Sequence, residues 1–307
     1  MSISAEMVRQ LREETGAGMM DCKSALVEAK GDAEAARDLL RKKGLAAATK
    51  KAGRSATEGA VGHLIAGDGR LGALVEVNCE TDFVAKTDDF QSLVSDVAEH
   101  VAKSAPADVA ALAAQPLAKQ PGTTVGQVVQ EKIALIKENI VIRRFARFEL
   151  PAGSQGVVAS YIHPGAKVGV LVEFSAGTDA ATKKPEFQAL VKDVAMHAAA
   201  ASPAAAVYVS KDQVPAEVLE KEKEIYRAQA AAQGKPPNVV DRIAEGKLKE
   251  YYQSFCLLEQ PFVKEPKITV GQLMEQKAKA LADKIAVRRF ARFRVGEDSG
   301  EAESAPE

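Results

Sequence analysis

The chain has no tryptophan, three cysteines and four histidines in 307 residues, and aromatic residues make up 5% of it. Cys22, Cys79 and Cys256 are odd in number and far apart, which argues against a disulfide framework and fits a reducing compartment. His63, His100, His163 and His197 are scattered and show no ligand spacing with the cysteines, so no metal is expected. The equivalent placing of His100 and His197 on two helices points to a shared packing role. There is no GxxxxGK[ST] phosphate loop and no nucleophile elbow, so the expectation is a non-enzyme that holds no cofactor. No apolar run approaches the ~18 residues of a membrane span. The first residues lack a basic-then-apolar leader pattern, and a cytoplasmic location is expected. A formal net charge of −1 gives no global pull toward nucleic acid or a membrane surface.

What is present is an ordinary apolar fraction, 46%, in a chain long enough for two or more domains. The body contains an internal repeat. Residues 59–106 align without a gap onto 156–203, with Gly72 over Gly169, Leu74–Glu76 over Leu171–Glu173, and Thr81 and Asp82 over Thr178 and Asp179. Phe90 falls over Phe187, Asp96–Ala98 over Asp193–Ala195, and His100 over His197. Further on, TVGQ at 124–127 recurs at 269–272, and RRFARF at 143–148 recurs at 288–293. Each copy reads as two strands joined by a turn, a helix, a later helix starting near TVGQ, and a third strand rich in β-branched and aromatic residues. The fold class expected is α+β: two related subdomains with small antiparallel sheets, at 59–150 and at 151–210 with 256–295.

Residues 1–44 read as three short helices forming a docking module. Ser4 caps the first and Gly16 and Gly18 stop it; the second ends at Gly31; Asp32 caps the third and Gly44 closes it. Residues 45–58 read as a basic linker whose Ala-rich part is compatible with helix. Between the two repeat segments of the second copy, residues 211–255 read as an inserted antiparallel helical hairpin. Val240, Ala244, Leu248, Tyr251 and Phe255, with Val218 and Ile225 opposite, follow heptad-like spacing. The hairpin is also a candidate surface for self-association. Residues 296–307 read as an acidic, disordered tail.

The stretch LVEVNCETDFVAKTDDF at 74–90 stands out. Thr81 and Asp82 are N-cap types and recur in the second copy, so capping is their first duty. Phe83 and Val84 do not recur; Ala180 and Ala181 stand in their place. The framework is therefore built in one copy without a phenylalanine there, which points to Phe83 as an outward-facing contact. Arg143, Arg144 and Arg147 alternate with apolar residues and recur in the second copy. They read as a solvated or internally paired face, with RNA or ribosome binding through these strands as the competing function.

Two long motifs, TGAGMMDCKSAL at 15–26 and LVEVNCETDFVAKTDDF at 74–90, give the chain its resemblance to bacterial elongation factor Ts. QPFV at 260–263 and TVGQL at 269–273 extend it, and it spans essentially everything but the acidic tail. The resemblance implies a UBA-like three-helix module, a two-subdomain core, a coiled-coil insertion, and guanine nucleotide exchange on elongation factor Tu. It implies that Thr81, Asp82, Phe83 and Val84 enter the partner beside its Mg²⁺ and phosphate site. Arg12, Met19 and Met20 would face the partner's nucleotide domain, and His163 would touch the partner away from the nucleotide. Neither a membrane nor nucleic acid is implied as a direct ligand.

Overall fold

The computed structural model describes residues 3–297. Its first helix, α1 (Ala5–Thr15), starts where the Ser4 side chain accepts from the Met7 amide, and ends at Gly16 with φ of 67°. Helix α2 (Met19–Glu28) follows. Asp32 opens α3 by accepting from the Glu34 and Ala35 amides at 2.9 and 3.1 Å. Val8, Leu11, Cys22, Ala25, Leu26 and Ala36 fill the small core between the three.

Helix α3 does not close at Gly44; it runs from Ala33 to Lys51. The first half of the expected linker is therefore helix. Gly44 is interior because α3 lies close to a later helix at this point: a Cβ there would come 3.1 Å from that of Ala134. Its small size serves the packing and its helix-breaking tendency, about 1 kcal/mol, is overridden.

The first copy continues with β1 (Glu58–Ile65), β2 (Leu71–Cys79), the single-turn α4 (Asp82–Ala85), α5 (Asp88–Ser104), α6 (Val109–Ala114), α7 (Val125–Ile136) and β3 (Ile140–Glu149). The second copy has β4 (Gly156–Ile162), β5 (Val168–Ala176), the single-turn α8 (Asp179–Thr182) and α9 (Pro185–Ala200). The inserted helices α10 (Ala216–Ala232) and α11 (Pro237–Phe255) come next, then a ribbon of β6 (Pro261–Phe262) and β7 (Glu265–Thr269), α12 (Val270–Leu281) and β8 (Ile285–Arg294). The recurring TVGQ is a capping box: the Thr124 and Thr269 hydroxyls accept from the amides of Gln127 and Gln272, whose side chains accept in return.

Both main sheets are antiparallel and three-stranded, ordered β1-β2-β3 and β4-β5-β8. The central strand β2 is buried along nearly its whole length, because both of its faces are covered. Ala73, Val75 and Val77 meet Phe90, Leu93, Val97 and Val101 of α5 on one face. Leu74 on the other face meets the second sheet, in a shared layer with Val61, Phe148, Val158, Leu171 and Phe293. The second sheet repeats this arrangement with Val170, Val172 and Phe174 against α9 and α12. The order of layers is helix, sheet, sheet, helix.

The two sheets approach closely at matched glycines. A Cβ on Gly72 would lie 2.7 Å from Val158 Cγ1, and one on Gly169 would lie 2.5 Å from Val61 Cγ1. Each sheet also carries a bulge at the same repeat position, where Glu76 pairs with Arg144 and Val77 with Ile142, and where Glu173 pairs with Arg289 and Phe174 with Val287. Arg143 and Arg288 are the extra residues.

In the hairpin, Ala230, Ala244 and Leu248 form the buried seam. Ile225, placed on that seam by heptad spacing, is instead 40% exposed. Of the acidic segment 296–307, residues 298–307 lie outside the described residues. Its first two residues are tied down: Gly296 N donates to Glu76 and Glu297 pairs with Arg292.

Candidate functional site

Strand β2 leads straight into the sequence Thr81-Asp82-Phe83-Val84. A buried strand ends at Cys79, and a four-residue helix is too short to hold itself together, so its neighbours must fix it. Thr81 begins it as N-cap, accepting from the Val84 amide at 3.4 Å. The stronger hold comes from Glu138, just before β3. One carboxylate oxygen accepts from the Glu80 and Thr81 amides at 3.1 and 3.0 Å, and the other accepts from the Thr81 hydroxyl at 2.7 Å. Glu80 answers by accepting from the Asn139 amide at 2.7 Å.

On this fixed turn the four side chains part ways. Val84 is half-buried against the first core, so it anchors the turn. Phe83 is 79% exposed. Asp82 lies at the rim and takes a 2.7 Å hydrogen bond from Lys86, which holds its carboxyl below the usual range. Cys79, the last residue of β2, is buried, and burial pushes its thiol up to about 12.

The second copy builds the same turn. Asp283 accepts from the Gly177 and Thr178 amides at 2.8 and 3.0 Å and from the Thr178 hydroxyl at 2.6 Å. Lys183 pairs with Asp179 as Lys86 pairs with Asp82. The Phe83 position there is exposed Ala180. The clamping acids escaped the sequence reading, although Glu138 and Asp283 stand at equal distances before the two RRFARF segments.

The other expected contact residues are all exposed. Arg12, in the last turn of α1, is exposed, and Met19 and Met20 in the first turn of α2 are 54% and 70% exposed. Asp21, next to them, reaches Lys137 at 4.0 Å, and Lys137 precedes the clamp residue Glu138. His163 opens the turn between β4 and β5, exposed, with Nδ1 3.3 Å from the Tyr161 hydroxyl. That turn is fastened beside the start of β1: Lys167 pairs with Glu58 and donates to Gly59 O at 3.1 Å, and Val61 N donates to Ala166 O at 2.7 Å. Glu58 is the register partner of Cys79, the residue from which the tip springs.

His100 and His197, and of the recurring arginines Arg144, Arg147, Arg289 and Arg292, are engaged within the chain. His100 and His197 are buried, with Nε2 3.0 and 2.9 Å from the side-chain oxygens of Gln115 and Gln260. Arg144 and Arg289 pair with Glu76 and Glu173 at 2.7 and 2.8 Å. Arg147 donates to Ala102 O and pairs with Glu149, and Arg292 pairs with Glu297. Among the described residues no cluster of His, Cys, Asp and Glu is placed to hold a metal ion, and no helix is long and apolar enough to cross a membrane.

Comparison with known proteins adds to this geometry. A family model described as elongation factor TS matches residues 80–297. The elongation factor Ts of Trichlorobacter lovleyi is 49% identical over 304 residues, covering 99% of this chain and 96% of that protein. Those of Nostoc punctiforme and Methylococcus capsulatus are 44% and 48% identical, covering 96% and 97% of this chain and 93% of each protein.

Proposed function

The chain belongs to the elongation factor Ts family, a family of translation elongation factors, and we propose that it acts as the guanine nucleotide exchange factor for elongation factor Tu. The observation that carries this reading is Phe83, a large apolar side chain 79% exposed on a turn whose flanking residues are fixed. Burial of such a side chain in a partner is worth roughly 1.5–3 kcal/mol, so it supplies driving force for insertion. Asp82 and Phe83 form the working tip, Thr81 and Val84 hold it, and Arg12, Met19, Met20 and His163 supply the surrounding docking surface. Exposed methionines suit such a surface because they adapt to what they meet.

The mechanism is linkage. A factor that binds the nucleotide-free partner more tightly than the GDP-bound partner lowers GDP affinity by the same ratio. The partner's Mg²⁺ bridges phosphate oxygens and protein ligands, so a tip that displaces it weakens the hold on phosphate. The carboxylate of Asp82, held by Lys86, is the charged group at the tip that would meet that site. No bond in the nucleotide is made or broken.

The test is release of fluorescent GDP from elongation factor Tu. Substoichiometric chain should accelerate it, while the chain alone binds no nucleotide. Absence of acceleration, or tight GDP binding by the isolated chain, overturns the reading.

A further inference from the structure

We propose that Glu138 is a positioning residue for the Thr81–Phe83 tip: it holds the exposed phenylalanine in the geometry that meets the partner. The inference rests on the exchange reading above.

The carboxylate takes three hydrogen bonds from two consecutive residues, Glu80 and Thr81, at 2.7–3.1 Å. These are the last residues before the tip. Without Glu138 their amides lose their acceptor, because β2 ends at Cys79 and α4 begins at Asp82. Of its own, α4 has the 3.4 Å cap bond, at the long limit of a hydrogen bond, backbone bonds of 3.3 Å from Ala85 N to Thr81 O and 3.2 Å from Lys86 N to Phe83 O, and the exposed Asp82–Lys86 pair. The tip's geometry therefore comes from Glu138 more than from its own short helix.

Glu138 is itself aimed. Lys137, before it, ends α7 in the left-handed region with φ of 67°, a conformation disfavoured for a side chain of this kind. The second copy keeps the same device, with Ala282 at φ of 52° before Asp283. Lys137 also reaches Asp21 of α2, so the same two residues touch both the helix that carries Met19 and Met20 and the turn that carries Phe83. The 137–138 joint thus neighbours both parts of the docking surface. A tip ordered before contact need not lose that freedom on binding, which is where preorganisation acts.

The second copy separates positioning from mere structural support. Asp283 makes the matching three bonds, but its turn carries Ala180 in place of Phe83. Asp283→Asn therefore damages an equivalent clamp that has no tip to aim. The experiment uses the full chain with Glu138→Gln and Asp283→Asn. It measures GDP release from elongation factor Tu against factor concentration, urea unfolding, and amide exchange at residues 80–84.

We expect Glu138→Gln to lower the maximal release rate about tenfold and to speed amide exchange at 80–84, while the half-saturating concentration moves less than about threefold. Asp283→Asn should show a similar loss of stability with the wild-type release rate. Thr81→Val, which removes the 2.7 Å hydroxyl bond to Glu138 together with the 3.4 Å cap bond from Val84 N, should shift the rate in the same direction and stands in if Glu138→Gln does not fold. An unchanged maximal rate in Glu138→Gln, or an equal loss in Asp283→Asn, overturns the inference. If the wild-type chain itself fails to accelerate release, the exchange reading falls, and the amide data decide the clamp: unchanged exchange at 80–84 overturns it on its own.

Discussion

The guanidinium of Arg144, on β3, lies 4.6 Å from the ring centroid of Phe293, on β8. Arg289 on β8 returns the contact to Phe148 on β3 at 4.4 Å. Each arginine thus reaches across to the other copy's strand, while its Nε holds a buried glutamate in its own sheet. This crossed pair makes Arg144 and Arg289 part of the contact between the two sheets.

The two arginines should differ in weight. The Arg144 side chain is 19% exposed and Glu76 only 1%, whereas Arg289 is 50% exposed. Arg144→Ala leaves a buried carboxylate without its partner and should cost about 3–5 kcal/mol. Arg289→Ala should cost less, about 1.5–3 kcal/mol, since water reaches that pair. Urea unfolding of the two variants checks the order; a larger loss for Arg289→Ala would contradict it.

Phe83→Ala should cut the rate of GDP release from elongation factor Tu at least tenfold, which needs about 1.4 kcal/mol of lost coupling. Its melting temperature should stay near that of the parent, since a surface truncation changes stability by about 0.5 kcal/mol or less. A core phenylalanine would instead cost about 3–5 kcal/mol. Ala180→Phe should create no second active tip, because Met19, Met20 and Asp21 lie by the first copy's clamp. Release rates and melting curves on the same preparations distinguish these outcomes.

Stability should fall in mild acid through His197. Its Nδ1 accepts from the Val263 amide at 3.1 Å, so the proton sits on Nε2, which donates to Gln260. Burial lowers its pKa below the ordinary 6.5. The folded chain therefore keeps His197 neutral where the unfolded chain already takes up a proton. The contribution is complete above about pH 6.5 and is lost as pH falls toward the lowered folded value. Urea midpoints at pH 7.5 and 5.5 should show the decline, and His197→Gln should flatten it.

Removing the outer hairpin, residues 221–246, and closing the gap with a short Gly/Ser loop should leave cooperative unfolding intact. The first copy forms its sheet and helices with no such insertion. The root must stay, because Gln260 donates to Ser254 O and Ala204 O at 2.6 and 3.0 Å, and Val207 and Tyr208 donate to Phe255 O. Calorimetry of the shortened chain checks this; a broad, uncooperative transition would refute it.

Much of this was legible in the sequence because the chain carries its own comparison. The repeat marked the strands, and the exchange of Phe83 and Val84 for Ala180 and Ala181 marked side chains that the second copy's turn is built without. What escaped depends on contacts between distant segments. Gly44 carries a stop signal in one dimension, yet it sits inside a helix because α3 and α7 approach there. Glu138 and Asp283 look like surface acids until the turns they clamp are folded beside them. Val84, grouped with the tip by the resemblance, is half-buried against the first core. Ile225 fits a heptad by spacing, but the short hairpin takes its seam from Ala230, Ala244 and Leu248.

The matched glycines at 72 and 169 bear on how the molecule could be taken apart. Neither copy covers the outer side of its own middle strand; each is the other's lid, fitted so tightly that a methyl group at either glycine would strike the opposite sheet. Cleavage in the connecting segment at 151–155 would leave two pieces, each with a bare apolar face shaped to one specific complement. Such fragments should reassemble from separate polypeptides, and the nick would be silent once they meet. The duplication has made a pair of interlocking halves that happen to share a chain.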